Sequence, residues 1–403
     1  MRNKKSNKII AGIKPKRIVI LLAAGFSHNR GYPLGNQLNE RIKKLDKIEF
    51  AQVFREQNLQ NVYYFLIDII GYYSSIVGER NFNYEDLYDG IDLKFKVNRK
   101  FCVLSEEYRK LSEPYRTEFF TFRQLVYQLP FVLNWIIMNL ITEDGKRDIL
   151  ENGHSKTNFS YYKNFIHFLQ IESKRSLIEI FTLNHDLFID TFKKVKGLED
   201  KICDGFDDCN STYYGSVFGE KGESRCKLER YTARYYKPVR IYKLHGSFDY
   251  FPYYRKIETG GIPFAVPYRY VKLRGGVHPL YLSKYNRRTQ EYEDSLSPSV
   301  NPDFLSGTEI KKVKYNNPNL YTKLFKKFKK KLIQANQVII IGYGAKDDGI
   351  NEYLYENINI PNVTIFDYSP NNSVSELQKR LGAIIIEGEF DEEITKLLDY
   401  LQG

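Results

Sequence analysis

The chain has 403 residues, more than one compact core normally holds, so it contains one large domain with an insertion or two domains. Its apolar fraction of 42%, with 15% aromatic, is enough to bury a core, and four cysteines without paired spacing argue against a secreted disulfide framework and for reduced thiols. The net charge of +12 suits a nucleic-acid surface, an acidic partner or a soluble basic protein, and it is spread along the chain except for clusters at Lys4–Lys16 and Lys323–Lys331.

Residues 1–16 read as a loose basic tail. Ile18–Ala24 is a near-continuous apolar run of strand length, as in a buried parallel strand. It passes into the small-residue loop Ala23-Ala24-Gly25-Phe26-Ser27, then Gly31, Pro33 and a helix over about Gly35–Lys44. Strand, small-residue loop and helix in that order form a nucleotide-phosphate cradle, or simply a tight turn. The run is far shorter than the roughly 20 residues of a membrane span, and it continues into the loop, unlike a secretory signal. Neither it nor Val338–Ile341 approaches span length, so a cytoplasmic protein is expected, with no membrane contact.

Residues 47–174 carry helical signals at Phe50–Tyr73, Phe101–Leu111, Glu118–Ile141 and Tyr161–Ile171, which predict a helical insertion between 17–46 and 175–403. Pro130 predicts a break or kink in the third helix. Strand signals resume at Leu177–Leu183, followed by Asn184-His185-Asp186 and the amphipathic run Leu187–Val195. Further strands are predicted at Val239–Leu244, Gln337–Ile341, Val363–Phe366 and Ala383–Ile386, with a terminal helix at Glu392–Leu401. Inserts at 198–236 and 252–316 are too long for structureless loops, and are expected to carry small structure or to cover a site. In Lys323–Lys331 the apolar residues recur at helical spacing, so its lysines are expected on a solvated helix face. Alternating strands and helices predict an α/β, doubly wound, Rossmann-like parallel sheet with a large helical insertion.

Polar or small residues follow each predicted strand, where ligands bind in open parallel sheets. They are Gly25 and Ser27, Asn184 and Asp186, His245 in Leu244-His245-Gly246, Gly342-Tyr343-Gly344, and Asp367. Each has a plain structural alternative. Asn184 is a residue type that caps helices, His245-Gly246 suits a turn, and Asp347-Asp348 suits a helix start. His185 reads as structural and His28 as an exposed loop residue.

Taken in order, these motifs resemble the SIR2-like (sirtuin-fold) family, and within it the prokaryotic anti-phage defence branch of NAD hydrolases. The resemblance covers about 18–40 and 177–400. It implies that Ala23, Ala24, Gly25, Phe26, Ser27 and Pro33, with Gly342, Tyr343, Gly344 and Asp367, hold NAD⁺ as a substrate. It implies that Asn184 and Asp186 position the nicotinamide ribose and the attacking water, and that His245 is catalytic. Three departures are visible. Ala23 stands where the family has a glycine, Leu183 where deacylating sirtuins usually carry glutamine, and no cysteine follows His245 to build the deacylase zinc module. These argue for hydrolysis over deacylation, with no metal.

The residue chemistry agrees. Cleaving the nicotinamide–ribose bond passes through an oxocarbenium-like state and needs an oriented nucleophile and a base. Asn184 can orient water or a ribose hydroxyl, His245 can take its proton, and Asp186 can bind the carboxamide or stabilise positive charge. Unrestrained NAD⁺ depletion in abortive infection would kill the host, so the resemblance implies gating. No Gly-x-x-x-x-Gly-Lys-Ser/Thr occurs, so the expected gate is homo-oligomerisation or a separately encoded sensor or regulatory protein: an ATPase, an Argonaute-like protein or a nucleotide-sensing subunit. The alternative is a non-catalytic module that binds NAD or ADP-ribose. A third reading, nucleic-acid binding through the basic surface, requires affinity that falls steeply with salt.

Overall fold

The computed structural model describes residues 15–54, 56–92, 102–142, 159–220, 222–259, 262–273, 277–296, 302–305, 307, 311 and 320–395. Most of the basic tail and the end of the terminal helix lie outside them. The helix signal at the end of the chain is seen as helix over 390–395.

Fifteen strands make up the described sheets. Those of the central sheet are β1 (Lys16–Leu22), β2 (Ser176–Thr182), β3 (Ile202–Cys203), β8 (Val239–Lys243), β13 (Gln337–Ile341), β14 (Val363–Asp367) and β15 (Ile384–Glu387). Their order is β15-β14-β13-β1-β2-β8-β3, and every pairing is parallel. From β1 the chain steps outward through β2 to the edge strand β3 and doubles back to β8 between those two, then crosses to the other side of β1 and steps outward from β13 to β15. This is the doubly wound Rossmann-like arrangement, with its reversal between β1 and β13.

Near-continuous apolar strands form it because both faces are covered. Alternate residues of β1 divide between two cores. Val19 and Leu21 pack with Phe325, Phe328 and Leu332 of the helix Tyr321–Ile333, and with Ile350 and Leu377 from the helices Asp348–Asn357 and Asn372–Leu381. Ile18, Ile20 and Leu22 face the opposite side, against Phe165 and Phe168 of the helix Lys163–Glu172 and Phe188 of Phe188–Thr191.

The helices Gln57–Val77, Tyr84–Ile91 and Phe122–Thr142 build a core of their own, which also takes in Phe248 and Phe304. Tyr84–Ile91 has no counterpart among the predicted helices; its polar first turn, capped by Asn83 accepting from Glu85 N–H at 3.0 Å, hides the apolar face. Phe122–Thr142 stays helical through Pro130, so of the expected break or kink the break is absent. A proline costs a helix one hydrogen bond, and here packing on both sides of it, by Leu129 and Val132, offsets that loss.

The expectation that no segment reaches span length also needs amending. Phe122–Ile141 has the length and apolarity to cross a membrane, but half of it is buried, with Leu125, Leu129, Leu133 and Ile136 inside the helical core. The two inserts do carry structure: four-stranded antiparallel sheets β4-β7-β10-β9 and β12-β11-β5-β6, spanning Gly205–Asp207, Glu229–Arg234, Ile262–Lys272 and Tyr250–Thr259 in the first, and Glu291–Asp294, Val277–Asn286, Tyr213–Gly219 and Gly222–Lys227 in the second.

Lysines of Tyr321–Ile333 do not all face solvent. Lys331 Nζ reaches the buried carboxylate of Glu179 in β2 at 2.9 Å, beside Arg17 and Arg240 from the flanking strands.

Candidate functional site

The polar strand ends gather at the carboxyl edge of the sheet, on either side of the β1/β13 reversal, where open α/β sheets form a crevice. Two glycines set the width of that crevice. Gly25 N–H donates to Gly342 O at 3.1 Å, and a Cβ on Gly25 would lie 2.6 Å from Gly342 Cα. Gly342 has φ +63°, and its own Cβ would lie 2.5 Å from Phe26 N, so a side chain at either position would force the loops apart. Ala23, where a glycine was expected from the resemblance, has an extended φ of −132° and donates to Ile341 O at 3.1 Å, so its methyl group introduces no backbone strain.

The loop amides are partly engaged within the fold, since Phe26 N–H donates to Ala23 O at 2.9 Å and Gly25 N–H to Gly342. The Phe26 side chain is directed away from the crevice into rings of Tyr162, Phe165, Phe188 and Phe390. Ser27 is directed into it. Asn184 Nδ2 donates to Ser27 Oγ at 2.9 Å and to Ala23 O at 3.0 Å, which locks the end of β2 to the loop after β1. Asn184 is therefore not a helix cap. Leu187 is the N-cap of the helix that follows, and Asp186 precedes it in a turn, its carboxylate accepting from Phe188 N–H at 2.9 Å. Burial pushes the Asp186 carboxyl up, against the pull of Lys243 and of hydrogen bonds from Phe188 and Ser27.

Behind this edge lies an ion network that the motifs did not reveal. Lys243 Nζ, with its side chain fully enclosed, contacts Asp186 O at 2.5 Å, Ser247 Oγ at 2.8 Å and Asp190 Oδ2 at 2.7 Å. Lys272 joins Asp190 and Asp204, each at 2.7 Å, and Asp249 at 3.3 Å. The available signal was a lysine at the inner end of the apolar strand Val239–Leu244, since a lysine there must be paired. The network clamps the Asn184–Asp186 turn to the His245 turn.

His245 is 4% exposed. Gly246 turns the chain beneath it with φ +84°, and a Cβ there would meet Asp303 O at 2.4 Å. Leu305 N–H donates to His245 O at 2.7 Å, so the segment Asp303–Leu305 lies over the residue. The His185 ring, structural as expected, packs 4.9 Å from Phe304 and 6.2 Å from the His245 ring. Burial and the nearby Lys311 ammonium hold the His245 imidazole well below the usual histidine range, so it is neutral near pH 7 and a weaker base than a free imidazole.

Asp347 is the residue that sequence reasoning undervalued. It does cap Asp348–Asn357, through Oδ1 accepting from Ile350 N–H at 3.1 Å, but its Oδ2 faces His245 Nε2 at 3.6 Å. Only the fold brings the two strand ends together. Tyr343 points inward, its hydroxyl 2.9 Å from Asn351 Oδ1 and 3.0 Å from Asp347 O, whereas a Cβ on Gly344 would meet Asn371 Nδ2 at 3.9 Å. Asp367 ends β14 and accepts from Ser369 N–H at 2.9 Å; burial raises its carboxyl. Pro33 lies on the flank, lining with His28, Tyr32, Arg41, Arg80 and Phe82 a cleft of about 620 Å³ against the helical core. His28 is exposed there.

Among the described residues no three His, Cys, Asp or Glu side chains gather as a metal site, and the four cysteines are unpaired thiols.

No protein-family description matches the sequence, and no curated protein matches it. Among solved structures, the chain is similar over 96% of its length to the crystal structure of a Sir2 homologue–NAD complex, covering 90% of that chain at 10% identity and a TM-score of 0.38. It is also similar to a structure described as the basis for the mechanism and regulation of Sir2 enzymes, with 96% and 94% of the two chains covered, 10% identity and a TM-score of 0.33. The fold itself defines a doubly wound α/β protein whose polar strand ends meet at the reversal of the sheet.

Proposed function

We propose that this chain is a SIR2-like NAD⁺ glycohydrolase, acting in the cytoplasm to deplete NAD⁺ in anti-phage abortive infection. The observation that carries the reading is that Asn184, hydrogen-bonded to Ser27 and Ala23, and a buried neutral His245 facing Asp347 stand on neighbouring turns at the carboxyl edge of the sheet. The strand reversal, where the Gly25–Gly342 contact brings two loops edge to edge, is the place where open α/β sheets take a dinucleotide.

In the reaction, water attacks C1′ of the nicotinamide ribose while the C1′–N bond breaks. The bonding pair returns to the pyridinium ring, so nicotinamide leaves neutral. His245 takes the proton of the attacking water, and ADP-ribose is the second product. Asn184 orients the water or a ribose hydroxyl. Asp186, already engaged with Ser27 and Phe188, holds the turn that presents Asn184.

Burial of His245 beneath Asp303–Leu305 supports an enzyme kept off until triggered. We assign its release to homo-oligomerisation or to a separately encoded sensor or regulatory protein. The same burial favours, as a second reading, a module that binds NAD or ADP-ribose without turnover. Purified protein incubated with NAD⁺, alone and with proteins encoded beside it, distinguishes them by chromatography of released nicotinamide. Release under a trigger, lost in His245→Ala with nucleotide binding retained, supports the hydrolase; binding with no release under any trigger supports the module.

A further inference from the structure

Asp347 Oδ2 is buried and accepts no hydrogen bond among the described residues. A carboxylate oxygen left so, away from water, is costly unless a cation or a donor stands close. Two groups do. His245 Nε2 lies at 3.6 Å and Lys311 Nζ at 3.8 Å, while Lys311 is tied more closely to Glu85 Oε1, at 2.5 Å. The other oxygen of Asp347 is fixed by the helix cap on Ile350, and the Tyr343 hydroxyl lies 3.0 Å from the Asp347 backbone oxygen, so the carboxylate cannot turn away from the imidazole.

We propose that Asp347 is the positioning residue of His245, holding its Nε2–H and stabilising the imidazolium that forms when His245 takes a proton. The inference rests on the proposed hydrolysis for its kinetic consequence, though not for the pairing itself. The separation is a few tenths of an ångström beyond a hydrogen bond, a gap that catalytic pairs close when substrate binds. With Nε2–H given to Asp347, the basic lone pair is the one on Nδ1. The charged and titratable groups around the pair are Lys311 and, behind it, Glu85 and Asp89, together with His185 on the neighbouring turn. Lys311 opposes protonation of His245 and Asp347 favours it. Glu85 belongs to the helix Tyr84–Ile91, so the polarity of the pair is set partly by the helical core.

The test uses Asp347→Asn and Asp347→Ser in the full chain. Both side chains keep an oxygen that can cap the helix, and both remove the charge facing His245. The expected result is thermal melting alongside the unsubstituted protein, with kcat for NAD⁺ cleavage lowered on the order of 10²-fold and KM nearly unchanged. The ring ¹⁵N signals of His245 are expected to lose their Nε2–H preference, and its titration midpoint is expected to fall. Unchanged ¹⁵N signals and midpoint in both variants overturn the proposal, as does loss of activity that merely follows loss of melting temperature. If the unsubstituted protein cleaves no NAD⁺ under any trigger, the hydrolase reading fails while the ¹⁵N measurement still decides the pairing.

Discussion

Two buried ion clusters occupy opposite ends of the same parallel sheet, and their charges are reversed. At the carboxyl end, Lys272 is surrounded by Asp190, Asp204 and Asp249, and Lys243 continues the network to the Asn184 and His245 turns. Toward the amino end, the single carboxylate of Glu179 receives Arg17 and Arg240, on the strands either side of it, together with Lys331 and the Tyr242 hydroxyl. The first cluster joins strand ends to the turns that follow them, and so it holds the Asn184 and His245 turns in place. The second joins strands already fixed by their ladder, and its cations retain 13–17% exposure. The two clusters therefore serve different ends, geometry in one case and closure of the sheet face in the other.

Several substitutions break that comparison. His245→Ala removes the proposed base at the carboxyl end and should lower NAD⁺ cleavage by about 10²–10⁴-fold while leaving the melting temperature in place; Glu179→Gln should do the reverse. Wild-type turnover in His245→Ala would end the catalytic assignment. Lys272→Met takes the cation from Asp249 and leaves Asp190 and Asp204 with one lysine each, Lys243 and Lys193, and should cost about 3–5 kcal/mol in denaturant unfolding. Glu179→Gln leaves cations that can rehydrate, and should cost less, about 1–3 kcal/mol. Equal losses would show that exposure does not separate the clusters.

Acid sharpens the contrast. Burial raises the Asp204 carboxyl, but Lys272 and Lys193 outweigh it and pull the group down to about 2, and Lys243 and Lys272 likewise hold Asp190 below its usual range. Folded pKa values below the unfolded ones mean stability that is fully present above about pH 4 and is lost as the pH falls toward 2. In Lys272→Met the folded pKa values rise toward the unfolded ones, so the loss of stability between about pH 4 and 2 should be smaller, as followed by denaturant unfolding at each pH.

The smallest effect belongs to Lys331. Burial, with Arg17, Arg240 and Lys327, lowers its ammonium to about 7. The folded chain then binds fewer protons than the unfolded one between about pH 7 and 10.5, so this residue's contribution to stability rises with pH across that window. The difference in denaturant midpoint between the unsubstituted protein and Lys331→Met should therefore shift in favour of the former from pH 7 to 10. A difference that stays constant would contradict the lowered ammonium.

Much of the scaffold was legible before folding. Gln337–Ile341 is a run of buried apolar residues that can hardly be anything but an inner strand, and it was placed to the residue. Tyr84–Ile91 was not legible, because its short apolar pattern sits among carboxylates. In the site, Asn184 reads equally well as a cap. Nothing local shows that Asp186 accepts from the Phe188 N–H while the Asn184 amide crosses to Ser27 on another strand end.

By itself the sequence determined the alternation of strand and helix, the helical unit, and the polar and small residues after each strand, because these depend on periodicity and on backbone requirements that neighbours impose. Only the tertiary structure decided which strand ends meet. The reversal between β1 and β13 puts Gly25 against Gly342, and the segment after β13 reaches past the ends of β1 and β2 to put Asp347 against His245, residues 102 positions apart by number. Such pairs follow from strand order, a property of the whole sheet that no local spacing encodes.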